Sequence, residues 1–233
     1  MKEWLFAFDL DDTLYPEREY VLSGFKAVSD YLQRWHNLKG FFEKAKARFE
    51  KGERGKIFDS VLTELGQSEV QRLVFILVFI YRHHQPEIHF YPGAVNLLSK
   101  LSALSHLAII SDGPVESQTN KADALGLPQW FKLIIFTEAF GKEYAKPNPL
   151  LFQFVQQKFR VPPQKCFYIA DNPEKDFVAG NQLGWQTVQI IHPDQVRPFK
   201  EFPGSFQAKM LVNGFSELDQ ILKRIGALPL KQK

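Results

Sequence analysis

The chain is 233 residues long, with 45% hydrophobic and 24% charged residues, a composition typical of globular proteins. This length suits one large domain, or a core domain with a smaller insert. The formal net charge of +3 is slight and no long run of Lys or Arg occurs, so we expect neither a nucleic-acid nor a membrane partner. A single cysteine excludes an intramolecular disulfide and a thiolate-rich metal site.

Two apolar stretches could be mistaken for targeting or membrane segments. The N-terminus has one Lys and a short apolar run that ends at Asp9, without a small-residue cleavage site, so it does not match a secretion signal. Residues 73–81 are apolar throughout, but a membrane-spanning helix needs roughly 18 such residues. We interpret them as a helix buried in a small helical subdomain or at an interface, and we expect a cytoplasmic protein.

The first predicted element is a strand over residues 4–8. Its sequence, Trp-Leu-Phe-Ala-Phe, is typical of a strand buried on both faces of a parallel sheet. Asp9, Asp11 and Asp12 follow at its carboxyl end, where ligands bind in open α/β sheets. Such carboxylates repel one another, and a cation or a proton would relieve the repulsion. A loop in which Asp turns the chain or caps the next helix is the alternative that these residues alone leave open.

Residues 15–87 show helical spacing and no clear strand. Apolar side chains recur every three or four residues in successive segments, and glycines separate these segments. We therefore predict an all-helical insert over 15–87, and a core domain made of 1–14 and 88–233. The insert should lie over the carboxyl end of the first strand. Its many Phe side chains should pack the insert on itself or on a partner subunit, which would give a homodimer.

From residue 91 onward, apolar strands alternate with helices. We predict strands over 107–110, 133–136, 166–170, 187–191 and 210–212. We predict helices around 94–101, 117–124, 148–159 and 174–183. Such alternation is typical of a doubly wound parallel sheet with helices on both faces. The predicted fold class is therefore α/β with an inserted all-helical domain.

Polar side chains follow three of these strands at the same point of the pattern. Asp9 and Asp11 follow the first strand. Ser111 ends the second, and Asp171 follows the fourth, with Asp176 five residues further on. Because parallel strands bring their carboxyl ends to one edge of a sheet, we expect these groups to converge.

The residues resemble, in order and in context, the four motifs of the haloacid dehalogenase (HAD) superfamily of hydrolases. Residues 9–13, Asp-Leu-Asp-Asp-Thr, match the first motif, DxDxT, and Ser111 after its apolar strand matches the second. Lys146 in Ala-Lys-Pro-Asn-Pro matches the third, and residues 171–176 match the fourth, usually written GDxxxxD. Ala170 stands where the family often has Gly, a small-for-small change. The insert is placed like the family's C1 cap, so the resemblance implies a Rossmann-like HAD core with a helical cap.

By this resemblance the protein would be a Mg²⁺-dependent phosphatase of a small phosphorylated metabolite. Asp9 would be the nucleophile that forms an aspartyl-phosphate. Asp11 would protonate the leaving alcohol and then take a proton from the attacking water. Mg²⁺ would be held by Asp9, Asp171 and the backbone carbonyl of Asp11, because it favours oxygen ligands.

The remaining motif residues would bind the phosphate. By the resemblance, Ser111 and Lys146 would contact the phosphoryl oxygens. The backbone amides of Asp112 and Gly113 would assist them, since amides in such a turn form an anion-binding nest. Asp176 would act indirectly, by orienting Lys146 or a metal-bound water.

Asp11 also discriminates among the reactions of this superfamily. The family's dehalogenases lack an Asp two residues after the nucleophile, because a halide leaves without a proton whereas an alkoxide needs one. Its presence favours a phosphatase over a dehalogenase. Two alternatives stay open: a phosphotransferase such as a sugar phosphomutase, and a non-catalytic binding protein that keeps a relic site. A nucleoside monophosphate, a sugar phosphate and a small acid phosphate all remain possible substrates.

Overall fold

The computed structural model describes residues 2–197 and 202–229, which form a six-stranded sheet, flanking helices and a group of four inserted helices. The strands are β1 (Leu5–Phe8), β2 (His106–Ser111), β3 (Leu133–Phe136), β4 (Cys166–Ala170), β5 (Gln186–Ile191) and β6 (Met210–Asn213). The inserted helices are α1 (Glu17–His36), α2 (Phe41–Glu50), α3 (Ile57–Glu64) and α4 (Val70–His83). The flanking helices are α5 (Ala94–Leu104), α6 (Val115–Ala124), α7 (Leu150–Phe159), α8 (Phe177–Gln182) and α9 (Gly214–Arg224).

β1 lies inside the sheet and is buried on both faces. Phe6 and Phe8 pack into one hydrophobic core with α5, α6 and α9, whereas Leu5 and Ala7 pack into a second core with α7 and α8. Successive side chains of a strand point to opposite faces, so a strand covered on both faces has to be apolar throughout. All described pairings are parallel, and this arrangement confirms the predicted doubly wound sheet.

The strand order is β3-β2-β1-β4-β5-β6, and it reverses between β1 and β4. In open α/β sheets a ligand crevice forms outside the carboxyl ends of the strands at such a reversal. Phe8 pairs with Ile109 of β2 and with Ile169 of β4, so the loops after these three strands begin at a similar level. The register therefore brings the predicted motif residues to one edge of the sheet.

Helices α1 to α4, which we call the cap, pack around a hydrophobic core of their own. All four helices contribute fully buried side chains to it, among them Val28, Phe41, Val61 and Leu77. Gly24 permits the close approach of α1 and α4, because a Cβ at this position would collide with the ring of Tyr81. The predicted helical insert is thus observed as four helices between β1 and β2.

The two ends of the insert lie side by side. The backbone N–H of Tyr91, which follows the cap, donates a hydrogen bond of 2.9 Å to the carbonyl of Leu14, which precedes it. This hydrogen bond shows where the chain leaves the core and where it returns. It does not define a domain boundary, so the boundaries at 15–87 stay a prediction.

Residues 73–81, predicted as a helix buried in a helical subdomain or at an interface, lie in α4, and the cap core buries only one side of them. Leu73 and Leu77 of α4 face the cap core, but Phe75 is 79% exposed and Phe79 is 57% exposed. Residues four apart lie on one side of a helix, so the cap core covers one side of this apolar run and leaves the other uncovered. Among the described residues, no helix is long and apolar enough to cross a membrane.

His192 follows β5 and is buried between aromatic rings. Its ring stacks on that of Tyr91, with centroids 3.5 Å apart and planes inclined by 8°, and a tilted contact to Phe215 spans 5.6 Å between centroids. Burial lowers the pKa of His192 to about 4, because the surroundings disfavour the charged ring. The folded protein therefore keeps this histidine neutral at mildly acidic pH.

We expect the free energy of unfolding to fall as the pH decreases from about 6.5 to about 4. Between these pH values the unfolded chain binds a proton at His192 and the folded protein does not. Protonation therefore favours the unfolded chain, and the stability that is present above pH 6.5 is lost as the pH falls to about 4. The variant His192→Phe keeps a ring for stacking and should show a flatter pH dependence in urea unfolding. The control is His36→Phe at an exposed position. Parallel curves for all three proteins would contradict the expectation.

Candidate active site

A cleft of about 430 Å³ lies between the carboxyl ends of the central strands and helices α1 and α4 of the cap. Its wall includes five of the residues predicted from the sequence: Asp9, Asp11, Asp112, Gly113 and Asp171. The other three, which are buried and do not line the cleft, are Ser111, Lys146 and Asp176. The structure thus gathers all eight predicted residues in the wall of this cleft or behind it.

Lys146 lies at the centre of a buried polar network. Its ammonium is 2.7 Å from a carboxylate oxygen of Asp9 and 2.7 Å from one of Asp176, and its side chain is fully buried. It also donates a hydrogen bond of 3.1 Å to the hydroxyl of Tyr168, which donates to the carbonyl of Ile110 at 2.9 Å. Burial opposes the charge, but Asp176 and Asp9 outweigh it and raise the pKa of Lys146 well above its ordinary value. This lysine is a fixed cation beside Asp9.

Asp9, Asp171 and Asp176 form an acidic cluster, in which one carboxylate oxygen from each lies within 4.8 Å of the others. Burial raises the pKa of both Asp9 and Asp171, and the mutual repulsion of the carboxylates adds to it. Asp176 is already engaged by the buried lysine and by the backbone N–H of Asn172 at 3.0 Å, whereas Asp171 receives one longer contact of 3.4 Å from the hydroxyl of Thr13. These oxygen donors fit a hard divalent cation, which would relieve the repulsion.

The carboxylate of Asp11 is held by three side chains that the sequence analysis did not single out. Lys121 donates to it at 2.6 Å and Gln118 at 3.0 Å, and the hydroxyl of Tyr15 donates as well. The ammonium of Lys121 also lies 4.2 Å from the centre of the Tyr20 ring. Although burial favours the neutral acid, Lys121 and these hydrogen bonds hold the pKa of Asp11 below its usual range.

Asp12 has a different role from its two neighbours. One carboxylate oxygen accepts the backbone N–H of Glu17 at 2.8 Å, and the other accepts that of Val196 at 2.7 Å. Its φ of 51° lies in the left-handed region, which Asp tolerates better than most residues. Asp12 therefore ties the start of α1 to the loop after β5, and of the three carboxylates it fits the structural alternative that the sequence left open.

The end of β2 and the loop after it place a hydroxyl and a glycine near the cleft. The hydroxyl of Ser111 is buried and has no hydrogen-bond partner among the described residues. Gly113 has a φ of +127°, and a Cβ there would lie 2.7 Å from the amide nitrogen of Gln118. The positive φ favours glycine here, and a larger residue would also displace the Gln118 amide that donates to Asp11.

The side chain of Asp112 braces neighbouring loops. It accepts hydrogen bonds from the hydroxyl of Thr137 at 2.8 Å and from the backbone N–H of Lys146 at 3.1 Å, and it pairs with Lys175 at 2.9 Å. These contacts engage its carboxylate, so a phosphate contact would have to come from the backbone N–H, as the sequence analysis proposed. That contact stays a prediction.

The residues that the sequence analysis missed act through tertiary contacts. Gln118 and Lys121 lie three residues apart on α6, directly after the second motif, and this shared helix face was the available signal. Tyr168 gave no signal, because a tyrosine within an apolar strand is unremarkable until its hydroxyl partner is known. Tyr15 likewise follows the first motif without a feature that marks it.

The chain belongs to the haloacid dehalogenase-like hydrolases, whose family model matches residues 5–184. It is 27% identical over 227 residues to the glyceraldehyde 3-phosphate phosphatase of Methanocaldococcus jannaschii, a match that covers 94% of this chain and 96% of the relative. It is 26% identical to the phosphoserine phosphatase of Thermus thermophilus, over 80% of this chain and 88% of that one. These matches confirm the predicted family.

The fold is also that of solved members of the family. A 2-haloacid dehalogenase from Pseudomonas syringae superposes with a TM-score of 0.65 at 20% identity, covering 95% of this chain and 99% of that one. At this identity the likeness shows the fold alone. It confirms the predicted fold class.

We expect Lys146→Met to lower the free energy of unfolding by about 3–5 kcal/mol, because Asp9 and Asp176 would stay buried without their cation. The control is Lys175→Met, which breaks the 2.9 Å pair with Asp112, where the lysine side chain is 29% exposed. Lys175→Met should lower the free energy of unfolding by no more than about 1 kcal/mol, because the pair is partly exposed to water. Urea unfolding in metal-free buffer measures both, and equal losses would show that the Lys146 network does not carry this stability.

Proposed function

We propose that the protein is a Mg²⁺-dependent phosphatase that hydrolyses a small-molecule phosphate monoester through an aspartyl-phosphate at Asp9. The observation that carries this proposal is the position of Asp9, at the end of a central strand, 2.7 Å from Lys146 and clustered with Asp171. A phosphate monoester is anionic and repels a carboxylate, so its attack requires cations around the reacting group. Both curated relatives described above are named as phosphatases, which supports the same reaction here.

In the first step, Asp9 attacks phosphorus, and the bond from phosphorus to the ester oxygen breaks as the aspartyl-phosphate forms. Lys146 neutralises charge on the transferring phosphoryl group, and Asp176 holds this lysine in place. The unpartnered hydroxyl of Ser111 is available as a further donor. Mg²⁺, bound by Asp9, Asp171 and the backbone carbonyl of Asp11, would supply additional charge neutralisation.

Asp11 moves the protons in this proposal. It gives a proton to the departing alkoxide, and in the second step it takes one from the water that hydrolyses the aspartyl-phosphate. The Lys121 contact favours the ionised form, which suits the base step. The negative charge of the arriving phosphate favours the protonated form, since a like charge raises the pKa of a carboxyl group, and this suits the acid step.

We expect phosphate release from para-nitrophenyl phosphate in the presence of Mg²⁺, and loss of this release in EDTA. Asp9→Asn should lower turnover by more than about 10³-fold, because the nucleophile is removed. The control Asp123→Asn, at an exposed position on α6, should turn over like the parent. Turnover by Asp9→Asn at the parental rate would refute the assigned nucleophile.

The same samples separate the alternatives. In calorimetry the parent should bind Mg²⁺, and Asp171→Asn should bind it more weakly, because a ligand oxygen loses its charge. Absence of Mg²⁺ binding would favour a relic binding protein. Conversion of a sugar phosphate to its isomer without free phosphate would favour a phosphomutase.

We expect Asp11→Asn to lower kcat/KM for an alkyl phosphate by about 10²–10⁴-fold, because the alkoxide then leaves without its proton donor. The loss for para-nitrophenyl phosphate should be much smaller, because nitrophenolate needs no proton to leave. Phosphate release for both esters measures the two values. Equal losses would show that Asp11 acts in another way.

Two further predictions accompany this function. A homodimer through the cap is supported by Phe75 and Phe79, the exposed side of α4 that a second subunit would cover. A cytoplasmic location rests on the sequence alone and stays a prediction.

A further inference from the structure

A second cavity, of about 770 Å³, opens from the catalytic cleft into the cap. We call it the cap cavity. Six residues line both spaces: Glu17, Tyr81, Arg82, Asp171, Asn172 and Arg197. Because Asp171 also belongs to the acidic cluster, the cap cavity begins beside the reacting groups and continues away from them.

The wall of the cap cavity is divided by polarity. At the junction with the cleft, the shared residues other than Tyr81 carry charged or amide side chains. Beyond the junction, each of the four cap helices contributes apolar side chains, among them Val21, Phe25, Phe49, Phe58 and Val78. Arg54 also lines this part, where its guanidinium lies 4.1 Å from the centre of the Phe49 ring. The opposite side, formed by the core domain, adds the polar side chains of Glu174, Gln189 and Gln195, so the apolar surface is mostly that of the cap.

This division matches a ligand that is anionic at one end and apolar over the rest. A cavity of this size, with an apolar cap side and polar groups concentrated on the core side, is typical of sites for ligands well above three carbon atoms. A small polar alcohol would extend little beyond the junction, and any hydroxyl placed against Val21 or Phe58 would lose hydrogen bonds to water without gaining partners. A hydrocarbon chain or ring would instead be transferred from water to an apolar surface, which is favourable.

We propose that the cap cavity binds the hydrocarbon portion of a phosphate monoester of a long apolar alcohol, with the phosphate held at Asp9 and Lys146. This inference rests on the proposed phosphatase activity and specifies its substrate class. The proposed substrate differs from those in the names of the two relatives described above, which refer to the small polar compounds glyceraldehyde 3-phosphate and phosphoserine.

A series of ethyl, butyl, hexyl and octyl phosphates tests the proposal. Their primary alkoxide leaving groups are chemically alike, so differences in kcat/KM report contacts with the alkyl chain. We expect kcat/KM to rise by at least about tenfold from ethyl to octyl phosphate, measured by phosphate release below micellar concentrations. Phosphate release from every member with a flat or falling series would overturn the substrate class and leave the phosphatase intact. No release from any member, by an enzyme that releases phosphate from para-nitrophenyl phosphate, would likewise overturn the substrate class. No release from para-nitrophenyl phosphate either would overturn the phosphatase itself.

A substitution that fills the cap cavity tests where the chain binds. Val78→Phe should lower the ratio of the octyl to the ethyl value by at least about fivefold, because the larger ring occupies the space of the alkyl chain. The matched control is Val95→Phe on α5, which is 45% exposed and lies outside the cavity wall, and it should keep the parental ratio. Val21→Phe places a larger ring in the same cavity from α1, and it replaces Val78→Phe in this test if that variant does not fold. A parental ratio in a folded cavity-filling variant would overturn the assigned position.

Discussion

The structure depends on a concentration of buried negative charge at the carboxyl end of β1. Asp9, Asp171 and Asp176 place carboxylate oxygens within 4.8 Å of one another, with Asp9 and Asp176 buried and Asp171 half-buried. Such a cluster is unfavourable without a counter-charge, because burial and mutual repulsion act in the same direction. Lys146 supplies part of that counter-charge, and its ammonium also donates a hydrogen bond to the hydroxyl of Tyr168. The charge that remains uncompensated is what makes the site suitable for a cation and, through it, for phosphate.

Three aspartates that are neighbours in sequence have acquired different properties through their partners. Asp9 faces the fully buried Lys146 from the loop after β3, and Asp11 faces Lys121 from α6. Asp12 instead accepts hydrogen bonds from two backbone N–H groups. The residue type is the same in all three cases, so the surroundings and not the side chain set each role. The proposed nucleophile, the proposed proton carrier and a structural tie therefore lie within four consecutive residues.

Most of the fold could be predicted from the sequence, because strands buried on both faces are continuous apolar runs and the loops after them carry the motifs. The predicted strands over 133–136 and 166–170 match β3 and β4. The exposure of Phe75 could not be predicted, since an apolar run does not show which side of its helix finds a partner. Lys121 and Tyr168 could not be predicted for a related reason. Each reaches the site only through a partner distant in sequence, which is Asp11 for Lys121 and Lys146 for Tyr168.

The hydrogen bond between Tyr91 and Leu14 has a consequence for how such a protein can evolve. The chain leaves the core and returns to it at a single closed junction, and the proposed nucleophile, proton carrier and phosphate-binding lysine all lie outside the inserted segment. Helices can consequently be lengthened, replaced or grafted between these two residues without altering the register of β1 against β2. Selection can remodel the cap, which we propose recognises the alcohol, while the groups of the proposed reaction are inherited unchanged.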